Sequence, residues 1–252
     1  LQGILSGHGV EVPNAVGLFG GMAGSCCHNT LIKDSDIQDK MKAGNLPTEI
    51  DELRGKMIDL GAKPGRFTFG LRDVFKHGFQ GGGGWGDPLL REPEKVLQDV
   101  INGVISGKWT KILYGVVTNI DTMQVDGTRT DKLRKRKLQQ RLSLTPRVTL
   151  LPQLSAIGAK KLIAMGEALE VVDIAGQKIV RCRCGHQMGP ISKNWKEYAA
   201  RNIFQRRRAG SLVKLHQDLE IREYLCPQCG LLHSVEIARK EDQPLYEIQL
   251  KV

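Results

Sequence analysis

The chain has 252 residues, 40% of them hydrophobic and 25% charged, a size that fits one large or two ordinary domains. Nothing in it resembles an apolar span of about 18 residues, which excludes a membrane-spanning helix. The formal net charge is +10, and much of it lies in DKLRKRKLQQR at 131–141 and in the three arginines at 206–208. Such basic runs are compatible with nucleic acid, but more often they are solvated or partner-facing surfaces.

No signal peptide is visible at the start of the sequence. Six cysteines, four of them in metal-like pairs, suit a reducing cytoplasm better than a secreted disulfide scaffold. We therefore expect a cytoplasmic protein without a membrane partner. Because the first residue is Leu rather than Met, we also expect the native N-terminus to lie upstream.

The first part of the chain predicts loops, turns and short strands. Residues 1–30 are rich in Gly and small residues, as in GLFGGMAG, which favours close backbone approach. The adjacent groups Cys-Cys-His at 26–28 are interpreted as packing groups, since two neighbouring cysteines rarely face one ion. Residues 45–60 predict a turn or a short helix, and the alternation of Phe67 and Phe69 predicts a strand.

A glycine-rich loop follows, GGGGWGDP at 81–88. No Gly-Lys-Ser/Thr follows it, so it is not a Walker A phosphate loop. Four consecutive glycines either let backbone approach a ligand or another chain, or make the loop flexible, and the sequence leaves both open. The candidate substrate-binding or subunit-contact residues of this loop are Gly82, Gly83, Gly84, Trp85 and Asp87.

Two helices are predicted after the loop. The first starts at Pro93, a residue suited to a first turn, and its apolar face runs to Ile105, with Ser106-Gly107 as its end. Residues 109–121 indicate a helical turn leading to a strand. The second helix is the basic stretch 129–142, and residues 143–165, with two prolines, predict a connector or a partner-clasping arm.

The C-terminal part predicts antiparallel β structure. A hairpin with its turn at 175–177 should deliver the first two cysteines of a metal site, and a later strand should deliver the other two. The predicted strands are 168–174, 178–184, 220–226, 233–238 and 245–252, with a polar helical stretch at 192–219.

Four cysteines in this part form two close pairs, Cys182 with Cys184 in CRCGH and Cys226 with Cys229 in CPQCG. Four thiolates can surround one Zn²⁺ tetrahedrally, and two short pairs joined by a longer excursion are typical of zinc ribbons. In the second pair, a proline and a following glycine favour a tight turn whose backbone N–H groups point at sulfur. The first pair has one intervening residue and cannot build the same turn.

Three alternatives to an all-cysteine zinc site are weaker. A disulfide between Cys182 and Cys184 would close a small, strained ring. A redox pair at Cys226 and Cys229 lacks thioredoxin-like surroundings, and a histidine at 186 or 233 could replace one cysteine. Because a closed shell of four thiolates leaves no open coordination position, we expect the zinc to be structural.

Two stretches carry resemblances to known families. GGGGWGDPLLREPEKVLQDVINGVIS, followed by LYGVV, is similar to the C-terminal region of the hydantoinase B/oxoprolinase family. IVRCRCGH, NWKEYAAR and IREYLCPQCGLLHSVE resemble the small, gamma-type zinc subunit of acetone and acetophenone carboxylases. Cys182, Cys184, Cys226 and Cys229 match the cysteine pairs of that subunit.

The combined resemblance implies an α+β chain with three parts. Residues 1–145 would be an incomplete hydantoinase B-like α/β region, 146–165 a linker or arm, and 166–252 a small β-rich, zinc-ribbon-like module. The chain would then be a non-autonomous subunit of an ATP-dependent, biotin-independent ketone carboxylase that forms a C–C bond. It would complete the hydantoinase B-like subunit and supply a structural zinc module for assembly.

The resemblance also implies which groups lie elsewhere. The expected partners are hydantoinase A-like and hydantoinase B-like subunits, which would hold ATP, a catalytic divalent metal, bicarbonate and the ketone. No residue of this chain matches those sites, so no catalytic residue is assigned. The alternatives are a subunit of an ATP-dependent hydantoinase or oxoprolinase and a zinc-ribbon nucleic-acid binder, although nucleic acid is not the expected partner.

Overall fold

Strands outnumber helices in this protein. A computed structural model describes residues 1–119, 121–146, 150, 152–204 and 210–249. The chain divides into two units. The first consists of Leu1–Ala15, Ala23–Gly82 and Gln205–Asp218, and the second of Val16–Met22, Gly83–Phe204 and Leu219–Val252.

The first unit is built from two small antiparallel sheets. β1 pairs with β4, and β2 lies between β3 and β5, with Leu31 and Ile32 buried at 4% and 1% exposure. Phe67 lies in a strand, as predicted, and the predicted turn within 45–60 is a single 3₁₀ turn at Ile50–Glu52. The elements are β1 Gln2–Leu5, β2 His28–Lys33, α1 Ile37–Lys42, β3 Lys56–Asp59, β4 Gly65–Thr68 and β5 Val74–Gly78.

The first helix of the second unit is shorter than its apolar pattern predicts. α2 begins at Pro93, as expected, but ends at Ile101. Gly103 adopts φ +70°, and the N–H of Val104 bonds the carbonyl of Asp99 at 2.8 Å, which closes the helix four residues early. Ser106-Gly107 therefore begins the next helix rather than ending this one. The following elements are α3 Gly107–Ile112, β6 Thr118–Asn119, β7 Gln124–Val125 and α4 Gly127–Ser143.

The basic helix is confirmed as α4. Asp126 caps it, since its carboxylate accepts from the Arg129 N–H at 2.9 Å. Part of its charge faces the protein: Arg134 Nε donates to the Tyr114 carbonyl at 3.1 Å, and Lys137 Nζ donates to the Ile112 carbonyl at 2.8 Å. Lysine and arginine on carbonyls at a helix end stabilise that end, so this face of α4 holds α3 in place.

The rest of the second unit is antiparallel β structure, as predicted. One sheet has the order β11-β10-β9-β8 and the other β12-β13-β14. The predicted hairpin turn is confirmed by Ala175 and Gly176, which adopt φ +51° and +82° between β9 and β10. The strands are β8 Lys160–Met165, β9 Leu169–Ile174, β10 Gln177–Cys182, β11 Gln187–Pro190, β12 Ala200–Phe204, β13 Leu219–Leu225 and β14 Leu232–Arg239.

Three expectations need correction. Residues 160–165, predicted as the end of a linker, form β8 because they pair with β9. The stretch 192–219 is not helical where it is described: a 3₁₀ turn at Trp195–Tyr198 leads into β12, whose pairing with β13 outweighs local helix propensity. Residues 245–249 form no strand, and the backbone of Leu245 bonds the side chains of Asn194 and Glu236. Residues 205–209 and 250–252 lie outside the described residues.

The core of the second unit surrounds two of the predicted metal ligands. Cys182 and Cys226 are fully buried among apolar side chains that include Val171, Met188 and Tyr224.

None of the helices in the described part of the chain has both the length and the apolar composition that crossing a membrane needs. The fold is therefore mixed and strand-rich, while the hydantoinase B-like α/β fold and the cytoplasmic location stay predictions.

Candidate metal centre

The four paired cysteines converge on one point. Their Sγ atoms all lie within 4.8 Å of one another, although 41 residues separate the two pairs. The shortest separations cross between the pairs: Cys182 to Cys229 is 3.7 Å and Cys184 to Cys226 is 3.6 Å. All four are free cysteines, so the alternative disulfides are not formed.

The first pair comes from the turn that follows β10. The N–H of Cys182 donates to the His186 carbonyl at 2.8 Å, and the N–H of Gly185 donates to the Cys182 carbonyl at 2.8 Å. Gly185 adopts φ +97°, a conformation that side chains resist. The turn therefore reverses the chain while keeping both sulfurs on its inner side.

The second pair comes from the turn that follows β13, which is one residue longer. The N–H of Gly230 donates to the Cys226 carbonyl at 2.9 Å, and that of Cys226 donates to the Leu231 carbonyl at 2.8 Å. Gly230 adopts φ +76°, and a Cβ there would lie 2.5 Å from the Leu138 carbonyl of α4. As predicted, the two turns differ. The second turn requires glycine at position 230 for two reasons, its positive φ and the lack of room for a Cβ.

Backbone N–H groups point at the second sulfur of each pair. The pKa of Cys184 is lowered first by the Cys182 thiol and also by the N–H of His186. The pKa of Cys229 is lowered first by the Cys182 thiol and also by the N–H of Leu231. The pKa of Cys182 is raised, first by its bond to Cys184, because adjacent thiolates repel one another.

The sulfur positions fit a tetrahedral divalent cation. Zn–S bonds of about 2.3 Å place tetrahedral ligands ~3.8 Å apart, close to the two shortest sulfur separations here. A cation would allow all four thiols to ionise together, since its charge offsets their repulsion. The cluster can therefore hold a metal ion such as Zn²⁺, with no coordination position left for substrate.

The two nearby histidines do not join the cluster. Within the described residues, the convergent group of metal-binding side chains contains only cysteines. His186 Nδ1 and His233 Nε2 are buried and have no hydrogen-bond partner among the described residues. Burial lowers the pKa of both, that of His233 to about 4, so both rings are neutral at pH 7.

The Cys-Cys-His group near the N-terminus lies in the first unit and packs, as interpreted. Cys26 is fully buried, and its Sγ accepts from the Lys214 N–H at 3.2 Å. Burial raises the pKa of Cys26. Cys27 is buried beside Asn29, and His28 Nε2 lies 3.1 Å from the Leu212 carbonyl. These contacts account for the group without a metal.

The glycine-rich loop is packed against backbone along part of its length. The Gly84 carbonyl accepts from the Leu18 N–H at 2.9 Å, and the Gly84 N–H donates to the Met22 carbonyl at 2.8 Å. A Cβ on Gly83 would lie 2.0 Å from the Val16 carbonyl, whereas one on Gly82 would meet nothing within 4 Å. Glycines 83 and 84 are thus explained by close backbone contact, while a role of the loop in substrate or subunit contact stays a prediction.

The last two candidates of the loop differ in exposure. Trp85 is 59% exposed and packs edge-on against Phe19, with ring centroids 4.8 Å apart. Asp87 is buried, and its carboxylate accepts from the N–H groups of Leu89 and Leu232, both at 2.9 Å. Arg141 of α4 donates to both oxygens of Asp87, so this carboxylate joins the loop, the helix and the strand after the second cysteine turn.

A buried charge network beside the cysteines was missed by sequence reasoning. Lys196 and Arg222 are 2% and 1% exposed, and Glu236 lies between them. Glu236 accepts from Lys196 Nζ at 3.0 Å and from the Tyr224 hydroxyl at 2.6 Å. Lys196 Nζ also donates to Glu247 at 2.5 Å. The signal for this network in the sequence is the presence of charged residues in segments whose alternating apolar residues predict strands, as in IREYL and HSVEIA.

The C-terminal part of the chain matches a known protein family. The model of the family described as acetone carboxylase gamma subunit matches residues 157–251. Those residues include all four cysteines and the charge network around Glu236. Residues 157–251 are therefore similar to the gamma subunits of acetone carboxylases.

Three curated proteins are similar to parts of the chain. One from Pseudomonas sp. strain NS671, named provisionally as the B-type subunit of a D-/L-hydantoinase, is 48% identical over 54 residues, 21% of this chain and 9% of its own length. The acetone carboxylase gamma subunit of Xanthobacter autotrophicus is 32% identical over 87 residues, 31% of this chain and 51% of the relative. The acetophenone carboxylase delta subunit of Aromatoleum aromaticum is 28% identical over 127 residues, 46% of this chain and 18% of the relative.

A solved structure of nucleotide-free acetone carboxylase is also similar, with a TM-score of 0.44 and 25% identity over 52% of this chain and 19% of that one. The chain thus spans between 9% and 51% of the length of the curated relatives it matches.

Proposed function

We propose that this chain is a subunit of a multi-subunit, ATP-dependent, biotin-independent ketone carboxylase. In this proposal residues 1–145 complete the hydantoinase B-like subunit, residues 146–159 connect the two parts, and residues 160–252, which begin with β8, provide the zinc module. The observation that carries the proposal is the coincidence of the gamma-subunit domain at 157–251 with four convergent thiols. The coarser conclusion, that the chain is related to subunits of ketone carboxylases, rests directly on the similarities.

The metal in this proposal is a structural Zn²⁺ held by Cys182, Cys184, Cys226 and Cys229. Two of these cysteines lie in the buried core of the second unit, and the ion would join the turn after β10 to the turn after β13. A structural zinc contributes its binding free energy to folding. In this proposal the residues of this chain fold the zinc module and bind it to the partner subunits, and the reaction takes place on those partners.

The chemistry of the reaction requires groups that lie outside the zinc module. Bicarbonate is a poor electrophile, and ATP can phosphorylate it to carboxyphosphate, which releases CO₂ and phosphate. ATP can also phosphorylate the enol oxygen of the ketone, and hydrolysis of that P–O bond releases phosphate and an enolate, which attacks CO₂ and forms the new C–C bond. ATP, the catalytic divalent metal, bicarbonate and ketone are assigned to hydantoinase A-like and hydantoinase B-like partners. No catalytic residue is assigned in this chain.

The test begins with native mass spectrometry of the chain purified from its own host with everything that stays attached. We expect large hydantoinase A-like and hydantoinase B-like partners and one zinc per copy of this chain. The same preparation should fix labelled bicarbonate into a non-volatile acid only with a ketone and ATP, and avidin should not inhibit it. A monomeric chain, or a complex without ATP-dependent fixation, would overturn the proposal.

A second candidate is a subunit of an ATP-dependent hydantoinase or oxoprolinase. It is favoured by the 48% identity to the hydantoinase-type protein, although this covers only 54 residues. It leaves the zinc module without a role. Hydrolysis of a hydantoin or of 5-oxoproline by the purified complex, with no fixation of bicarbonate, would favour this candidate.

A further inference from the structure

Helix α3 exposes most of its apolar side chains. Trp109 and Ile112 of α3 are 43% and 58% exposed and Leu113 directly after it is 40% exposed, whereas Thr110 on the opposite side is fully buried. Lys108 and Lys111 share the exposed side, and Lys108 Nζ lies 5.4 Å from the centroid of the Trp109 ring. An exposed side of this composition is apolar at its centre and basic at its margin.

The segment that leads into α3 extends the apolar surface. Ile101 and Val104 are 48% and 69% exposed, because α2 ends at Ile101 and buries fully only Val96 and Leu97 of its apolar residues. Clusters of exposed apolar residues with a polar margin mark interaction sites, whereas single ones need no explanation. We call the cluster formed by Ile101, Val104, Lys108, Trp109, Lys111, Ile112 and Leu113 the α3 surface.

The surroundings of the α3 surface are strongly basic. Residues 104–143 contain nine lysines and arginines but only three acidic residues. Arg134, Lys137 and Arg141 of α4 donate hydrogen bonds within the protein, and Arg129 pairs with Asp126. The outer face of α4 exposes the basic residues Lys132, Lys135 and Arg136. Lys137 ties α4 to the end of α3, so this outer face lies roughly one helix diameter, ~10–12 Å, away.

We propose that the α3 surface docks a partner protein whose complementary surface is apolar and rimmed by Asp and Glu. The proposal rests on the proposed function, in which the chain belongs to a larger complex. Lys111, Lys132, Lys135 and Arg136 have no ion pair within the described residues, which leaves their charge available to a partner's carboxylates. Such charges steer association and select the partner, and a central Trp is the side chain that most often dominates binding.

The composition of the surface disfavours two other occupants. A second copy of the same surface would place lysines opposite lysines. This is unfavourable because like charges across an interface repel. A nucleic acid would use the basic residues but gain little from four exposed aliphatic side chains around one indole, because single strands stack on aromatic rings. A heterologous protein with carboxylates uses both the apolar and the basic part.

The test is zero-length cross-linking of the complex purified from its host with a carbodiimide, which joins lysine amines to carboxylates. We expect peptides that link Lys108 or Lys111 to an Asp or Glu of a different chain. The full-length variants Lys108→Glu/Lys111→Glu and Ile112→Glu should lose that partner in native mass spectrometry, with affinity reduced at least about tenfold, as for an interface centre. Zinc content and the circular dichroism spectrum should be unchanged.

Matched control variants lie away from the surface. Lys193→Glu reverses an exposed charge and Leu71→Glu replaces an 88% exposed apolar residue, and both should keep the partner. If the wild-type chain assembles and the α3 variants assemble equally well, the docking proposal is wrong while the proposed function stands. If the wild-type chain has no partner, the proposed function fails with it. Cross-links between copies of this chain, or a partner removed by nuclease, would also overturn the docking proposal.

Discussion

Asp87 and Arg141 form a two-point ion pair at the centre of the second unit. Arg141 Nη1 lies 2.6 Å from Oδ2 of Asp87, and Nη2 lies 3.0 Å from Oδ1. The same guanidinium donates to the Gly230 carbonyl at 3.3 Å, directly after the second cysteine turn. The carboxylate of the glycine-rich loop therefore fixes the end of the basic helix to the metal centre.

Replacing Asp87 by Asn should destabilise the second unit by about 2–4 kcal/mol, because the partly buried Arg141 loses the charge of the fully buried carboxylate that pairs with it. Zinc-loaded protein would be unfolded with urea and followed by circular dichroism. Asp99→Asn is the control, since Asp99 pairs with Arg91 near the surface and its loss should cost less than about 1 kcal/mol. Equal losses in the two variants would show that the buried pair has no special weight.

Cys226→Ser should abolish zinc binding, lowering zinc from one ion to none per chain by elemental analysis. Three thiolates and a hydroxyl bind Zn²⁺ far more weakly than four thiolates, and the buried site then loses its link between the two turns. Cys27→Ser changes a buried cysteine of the first unit and should keep the zinc. On the structural interpretation, a chelator should mimic Cys226→Ser; retained zinc in that variant would mean a different ligand set.

Gly83→Ala should destabilise the chain by about 1–3 kcal/mol, the usual cost of overpacking, because its Cβ would lie 2.0 Å from the Val16 carbonyl. Gly82→Ala is its neighbour and control: a Cβ there meets nothing within 4 Å, so the change should be small. Thermal unfolding of the two variants makes the comparison. Equal melting temperatures would contradict the close packing of this loop.

Glu236→Gln should lower stability at pH 7 by about 1–3 kcal/mol, since it weakens bonds to Tyr224 and Lys196 in a buried network. Burial alone would raise the pKa of Glu236, but the Tyr224 hydroxyl and Lys196 together hold that pKa below its ordinary value of 4.5. A carboxyl whose pKa is lower folded than unfolded stabilises the fold above the unfolded pKa and loses that contribution as the pH falls through the folded one.

The difference in stability between wild type and Glu236→Gln should therefore shrink below about pH 4.5. Urea unfolding at pH 7 and in steps below pH 5 gives the measurement. The exposed Glu197 provides the control variant Glu197→Gln, whose effect should be small at each pH. A constant difference for Glu236→Gln across the range would mean that its carboxylate charge contributes nothing.

Residues whose role is set by short-range geometry were predicted well from the sequence. The Ala175-Gly176 turn forms, and each cysteine pair lies in a turn of its own, because turn chemistry is local. The convergence of the two pairs across 41 residues depends on the packing of the strands that carry them. The predicted end of α2 lies too late in the chain, because the apolar periodicity continues past Gly103 although the backbone leaves the helical conformation there. Asp87 gives no local sign of its bond to Arg141, 54 residues away, because that pair depends on tertiary packing.

The segment 16–22 has a consequence for how this polypeptide could be divided. Phe19 lies so close to Gly166 that a Cβ there would be 2.4 Å from the ring, and a Cβ on Gly20 would be 2.2 Å from the Leu232 carbonyl. A gene split near residue 150 would therefore separate residues 157–251, which match the gamma-subunit model, from a contact that they receive from the N-terminal part of the chain. We expect the excised C-terminal part to expose Gly166 and Leu232, which segment 16–22 covers in the whole chain. Splitting such a gene would therefore be tolerated only where the two products bind each other in one complex.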